Sequence, residues 1–150
     1  MNTEVLSNSP DDTYQVGVVL GSQLKGNEII LLEGDLGTGK TVLTKGIAQA
    51  LGIDAENVVS PTFTLINEFR GEKGIHLYHI DLYRLGPSID DGLPEIDDYI
   101  DNGVIIIEWA QFLDPAYFNM NHVIQVRFHL IPENDNQRKI EIHSTSPLTI

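Results

Sequence analysis

Residues 33–41 read Glu-Gly-Asp-Leu-Gly-Thr-Gly-Lys-Thr, with three glycines and a lysine in nine positions. Within them Gly34, Asp35, Leu36, Gly37, Thr38, Gly39, Lys40 and Thr41 satisfy G-x-x-x-x-G-K-[ST], a phosphate-binding loop pattern. Wrapping a phosphate requires several backbone N–H groups turned inward, in conformations that side chains obstruct. Glycines permit them, and a following helix adds partial positive charge at its N-terminus. The Lys40 ammonium is placed to reach the β and γ phosphates, and the Thr41 hydroxyl to ligate Mg²⁺.

A P-loop also needs an acid on the metal side, usually at the end of a neighbouring strand. Two residues qualify. Glu108 closes the apolar run Val104-Ile105-Ile106-Ile107, and a strand parallel to the first would carry it to the P-loop end of the sheet. Asp81 follows apolar residues in Tyr-His-Ile-Asp but lies in an expected hairpin. We assign Glu108 to the metal and Asp81 to a second carboxylate acting through water or on the attacking water; either acid alone is also consistent with a solvated strand end.

Three further groups have two readings each. Ser60, Thr62 and Thr64 supply hydroxyls that could close on a γ-phosphate as switch segments do, or serve as β-formers in a strand. His76 and His79 are three apart on a strand and face opposite sides, which makes them poor partners for one zinc; His79 shares a face with Asp81, beside the site or in a structural role. Trp109 either lines the nucleotide pocket or packs.

The elements that must position these groups follow from periodicity. Ser9, Pro10, Asp11 and Asp12 form a helix start, and Val16, Val19 or Leu20, and Leu24 continue it at helical spacing to residue 24. Residues 28–33 suit a buried strand. Residues 40–52 return to the 3.6 period and stop at Gly52. Residues 62–69 and 75–85 read as a β-hairpin, and 88–101 as one or two short helices broken by Gly92 and Pro94. Residues 104–110 look like a strand covered on both faces, and the segments around 122–130 and 138–144 like a second hairpin. The order implies an α/β fold: one P-loop NTPase domain over residues 1–150, with a mixed β-sheet flanked by helices.

Composition narrows the biology. The chain carries 22 acidic and 9 basic residues, a formal charge of −13. That balance opposes direct grip on a phosphate backbone, so any nucleic acid involved would be held by a partner; the acidity is equally consistent with a charge that only keeps a small domain soluble. No cysteine is present, which excludes disulfides and thiolate sites. The N-terminus lacks the basic and apolar regions of a signal peptide, and no apolar run nears the ~20 residues of a membrane span. A cytoplasmic protein without membrane attachment is expected.

The guanine-reading string N-K-x-D is absent, which favours ATP. Arg70, Arg84, Arg127 and Arg138 are the only arginines, too sparse for a phosphate-clamping lid. An ATPase whose hydrolysis acts on a partner is therefore expected, weak alone because an arginine supplied to the transferring phosphate is worth roughly 10³ to 10⁵ in rate. A small-molecule or protein kinase and a nucleotide-sensing adaptor remain as alternatives.

Four segments in order, residues 33–52, Ser-Pro-Thr-Phe-Thr-Leu-Ile-Asn-Glu-Phe (60–69), Leu-Tyr-His-Ile-Asp-Leu-Tyr-Arg-Leu (77–85) and Ile-Ile-Ile-Glu-Trp-Ala (105–110), resemble the bacterial TsaE family. The likeness runs from about Ser9 to Ile142. It implies a P-loop ATPase with ATP and Mg²⁺ as cofactors, serving threonylcarbamoyladenosine modification of tRNA beside the anticodon. The partners implied are TsaB and TsaD: TsaD transfers the threonylcarbamoyl group, and ATP hydrolysis resets the complex between turnovers. tRNA would be met only through that complex. By motif, Gly37, Thr38, Gly39, Lys40 and Thr41 would bind phosphates, with Asp35, Leu36 and Val42 beside them. Thr41 and Glu108 would sit at the metal, Asp81 at the site, Thr13 near the adenine, and Arg138 near the nucleotide. Lys40, Asp81 and Glu108 are the expected catalytic residues.

Overall fold

The computed structural model describes residues 2–35, 37–58, 66–82, 96–110 and 122–150. Leu36, the Ser60, Thr62 and Thr64 hydroxyls, and most of the acidic 88–101 stretch lie outside them. The described residues form a seven-stranded sheet with the strands β1 (Asn2–Ser7), β2 (Glu28–Glu33), β3 (Ile66–Arg70), β4 (His76–Asp81), β5 (Val104–Glu108), β6 (His122–Ile131) and β7 (Asn134–Ser144). Their spatial order is β1-β7-β6-β2-β5-β4-β3. The four central strands β6, β2, β5 and β4 are parallel, and β7, β1 and β3 add antiparallel edges. The sheet is mixed, as the sequence pattern implies.

Burial explains why the central runs are unbroken apolar sequence. Ile30, Leu32, Val104 and Ile106 enter one core with Leu20, Leu43 and Ile47 from the helices α1 (Pro10–Gly21) and α2 (Lys40–Ala50). Ile29, Leu31, Ile105 and Ile107 enter a second core on the opposite face with Ile96 of the short helix α3 (Ile96–Tyr99). Alternate residues of β2 and β5 therefore need apolar side chains on both faces.

Local chemistry sets the helix ends. The Asp12 amide donates to Ser9 Oγ at 3.1 Å and the Asn8 amide to Asp12 Oδ2 at 2.9 Å, a reciprocal cap at the start of α1. The helix ends at Gly21, three residues before the expected Leu24, where Ser22 takes the cap. Helices α1 and α2 cross at Gly17 and Gly46. A Cβ on Gly46 would lie 2.2 Å from the Tyr14 carbonyl oxygen, and one on Gly17 would lie 2.4 Å from that of Leu43. Only hydrogen fits at that crossing, which ties the P-loop helix to α1 backbone against backbone.

Two elements depart from the sequence reading. Residues 2–7, without an assigned element, form β1, an edge strand antiparallel to β7 with Val5 opposite Ile140. β4 pairs antiparallel with β3, as the hairpin expectation requires, and also parallel with β5, Asp81 opposite Glu108. The second pairing brings both acids to the sheet edge where the P-loop begins. The C-terminal hairpin is present as β6 and β7, turning at Pro132 and Glu133.

Candidate functional site

β2 ends at Glu33, α2 starts at Lys40, and the P-loop spans the gap. Gly37 and Gly39 have φ of 76° and 109°, in the region L side chains avoid, and Gly39 is the N-cap of α2. No side chain caps the N-terminus of α2, the end of a helix that favours an anion. The Thr38 hydroxyl donates to the Asp35 carbonyl at 2.8 Å and stiffens the loop from within.

Lys40 is only 5% exposed. Its ammonium donates to the carbonyl oxygens of Gly34 at 2.6 Å and Asp35 at 2.8 Å, and lies 4.2 Å from the ring centre of Trp109. Burial holds its pKa below the ordinary lysine range, opposed by the negative charges of Glu108, Asp81 and Asp35. Trp109 thus lies against the loop's lysine as well as packing on the second core. Its φ of 63° places the turn directly after β5, which presents the ring to Lys40.

Glu108, the acid expected on the metal side, lies at the end of β5, opposite Leu32 of β2. Glu108 is 2% exposed, and the Thr41 hydroxyl donates to its Oε1 at 3.3 Å. These are hard oxygen donors of the kind Mg²⁺ takes in phosphate sites. Oε2 of Glu108 is hydrogen-bonded to Nε2 of His79, a wholly buried side chain. Asp81 lies opposite Glu108 in the β4–β5 register, and its charge acts on Lys40. His76 lies with its Nδ1 3.3 Å from Glu68 Oε1 and its ring stacked near Tyr78 on the other face, so the two histidines do separate.

At the other end of the loop is a cavity of about 240 Å³ lined by Ser9, Pro10, Thr13, Gly37, Thr38, Gly39, Val42, Asp135, Asn136 and Arg138. Thr13, Val42 and Arg138, drawn from distant parts of the chain, meet here. Thr13 is 3% exposed and its hydroxyl shares a 2.7 Å hydrogen bond with Ser7. Arg138 donates to the carbonyl oxygens of Asp135 at 2.6 Å and Gly37 at 3.2 Å, pinning the hairpin turn to the P-loop. Asp135, Asn136 and Ser9 were not among the expected site residues. Ser9 carries a helix-cap signal only, and the other two, which read as part of a polar turn in the sequence, lie at the start of β7, where their approach depends on distant packing.

A strand, a glycine-rich loop and a helix, with acids at the ends of the parallel strands β5 and β4, define a P-loop NTPase fold of the α/β class. Residues 7–140 match the family described as Threonylcarbamoyl adenosine biosynthesis protein TsaE. The chain belongs to the TsaE family. It is 36% identical to the tRNA threonylcarbamoyladenosine biosynthesis protein TsaE of Aquifex aeolicus over 141 residues, 93% of this chain and 95% of that protein. It is 43% identical to the TsaE of a Nostoc species over 114 residues, 73% of this chain and 68% of that one. The crystal structure of Bacillus subtilis YdiB superposes with a TM-score of 0.74 at 27% identity, over 97% of this chain and 87% of the other.

Proposed function

We propose that this protein is a Mg²⁺-dependent ATPase required for threonylcarbamoyladenosine modification of tRNA, acting in the cytoplasm on a TsaB–TsaD complex to sustain repeated turnover. The observation that carries the reading is the convergence of Lys40, Thr41 and Glu108 at one end of a glycine-rich loop, within hydrogen-bond or ionic reach of one another. Membership of the TsaE family, whose curated relatives bear the name of that pathway, supplies the biological setting.

In this reading the amides of Gly37, Thr38 and Gly39 hold phosphate oxygens, with Asp35 and Leu36 in the loop. Lys40 leaves its carbonyl partners to meet the β and γ phosphates, where its charge stabilises the transferring group. Thr41 and Glu108 would hold Mg²⁺, which supplies charge neutralisation between the phosphates when bound. Asp81, beside Glu108, serves as a second carboxylate toward the attacking water. Thr13, Val42 and Arg138 border the nucleoside, for which the cavity of about 240 Å³ offers room.

The acidic surface, net −13, supports a protein that meets tRNA only through its partners. The test is phosphate release from ATP and Mg²⁺ by the purified protein, alone and with TsaB, TsaD and tRNA. Slow release that rises with the partners is expected. Phosphate found on an acceptor instead would make the protein a kinase, and tight ATP binding without release in either setting would make it a nucleotide-sensing adaptor.

A further inference from the structure

His79 is 0% exposed, yet it occupies a position where an apolar residue would pack at less cost. Leu77, two residues earlier on the same face of β4, belongs to the helix-side core. Nδ1 of His79 is buried and has no hydrogen-bond partner among the described residues, so the ring is imperfectly satisfied as well. Among the described residues the ring makes one hydrogen bond, through Nε2, to Oε2 of Glu108.

Glu108 is otherwise poorly placed to hold one orientation. It is the last residue of β5, followed at once by the left-handed turn at Trp109, and a glutamate side chain has three rotatable bonds. The histidine ring has only two, and its backbone sits inside a strand paired on both sides, opposite Asn67 of β3 and Ile106 of β5. The ring is the stiffer partner. Because Glu108 accepts from Thr41 on one oxygen and meets His79 on the other, its carboxylate is held at both ends, between helix α2 and strand β4.

We propose that His79 is a positioning residue for Glu108. Its Nε2–H donates to Oε2 and keeps Oε1 turned to the Thr41 hydroxyl, so that the two oxygens intended for the metal are aligned before nucleotide arrives. The proposal rests on the reading of Thr41 and Glu108 as the metal-side pair. It requires no contact between His79 and metal, phosphate or water.

The test uses the full chain with a non-hydrolysable ATP analogue and Mn²⁺ in place of Mg²⁺, read by electron paramagnetic resonance. His79→Leu should weaken Mn²⁺ binding to the nucleotide complex roughly 10- to 100-fold, the usual cost of losing a group that orients a metal ligand. Analogue affinity in EDTA should stay unchanged. His79→Gln, which retains an N–H at similar reach, should recover most of the loss. Unaltered Mn²⁺ affinity in a folded His79→Leu chain, or equal losses in both variants, would overturn the proposal.

A second measurement needs neither a variant nor a ligand. Long-range proton–nitrogen spectra of the wild-type chain should show the His79 hydrogen on Nε2, and a bare Nε2 with hydrogen only on Nδ1 would overturn the proposal. A wild-type chain that binds neither nucleotide nor Mn²⁺ would instead refute the ATPase reading, and the same spectra would still decide whether His79 holds Glu108.

Discussion

At the β5 end of the P-loop, Lys40, Glu108 and His79 are 5%, 2% and 0% exposed and linked to Thr41, Trp109 and the loop carbonyls. At the hairpin end, the same loop borders an open cavity whose rim is the exposed Asp135 and Asn136 and the half-buried Arg138. One end is set by the parallel strands of the sheet centre. The other is assembled from a helix start and a hairpin turn at the sheet's antiparallel side. On the proposed ATPase reading, the contrast teaches that charge chemistry would require fixed geometry from the sheet, whereas holding a nucleoside would tolerate a looser wall.

The largest predicted effects lie at the rigid end. Lys40→Ala should abolish ATP turnover, measured as phosphate release. Glu108→Ala should lower metal-dependent hydrolysis by about 10² to 10³-fold, the scale for removing a group that stabilises transition-state charge, while nucleotide binding in EDTA persists. Full activity in either variant would remove that residue from the rigid end of the comparison.

The next prediction breaks the link between the two ends. Thr13 rides on α1 and Thr41 on α2, and the helices meet through Gly17 and Gly46. Gly46→Ala gains helix propensity of about 1 kcal/mol. The new methyl meets the Tyr14 carbonyl at 2.2 Å, however, and forcing the helices apart costs roughly 1–3 kcal/mol. A lower melting temperature is expected, with weaker ATP binding because Thr13 moves away from Gly39. An unchanged melting temperature would show that the crossing can relax.

The two ends also differ in how far the sequence announces them. The P-loop, its strand and its helix are contiguous, so glycine spacing and apolar period locate them, and Glu108 follows from the end of an apolar run. The contact of Glu108 with His79 does not follow, because it depends on the β4–β5 register, which pairs residues 27 apart in sequence. The sequence of β4 announces its hairpin partner β3 and is silent on its parallel partner β5. β1 escaped for a similar reason: Asn2–Ser7 alternates weakly, and its pairing partner β7 begins at Asn134. Asn136, a residue of β7, reads in the sequence only as part of a polar turn.

Thr13→Val sharpens the comparison at the loose end. The hydroxyl is buried and shares a 2.7 Å bond with Ser7, so its loss should cost stability of about 1 kcal/mol. The isosteric methyl keeps the wall of the cavity, so the KM for ATP should rise modestly while kcat stays near wild type. A fall in kcat with KM unchanged would place Thr13 with the rigid end.

Arg138→Ala should have the smallest effect of the set. Its guanidinium bridges the Asp135 and Gly37 carbonyls, but the side chain is half-buried and the bonds compete with water. Charged hydrogen bonds of that kind are worth about 1.5–3 kcal/mol when well formed, and less where solvent screens them. The expected loss is therefore in the weakening of nucleotide binding, confined to conditions of low salt if the charge rather than the geometry matters. Titration of a fluorescent ATP analogue at low and high ionic strength separates the two. A loss that salt does not reduce means that Arg138 acts by pinning the hairpin turn to Gly37, and the loose end is then braced through the loop that the rigid end shares.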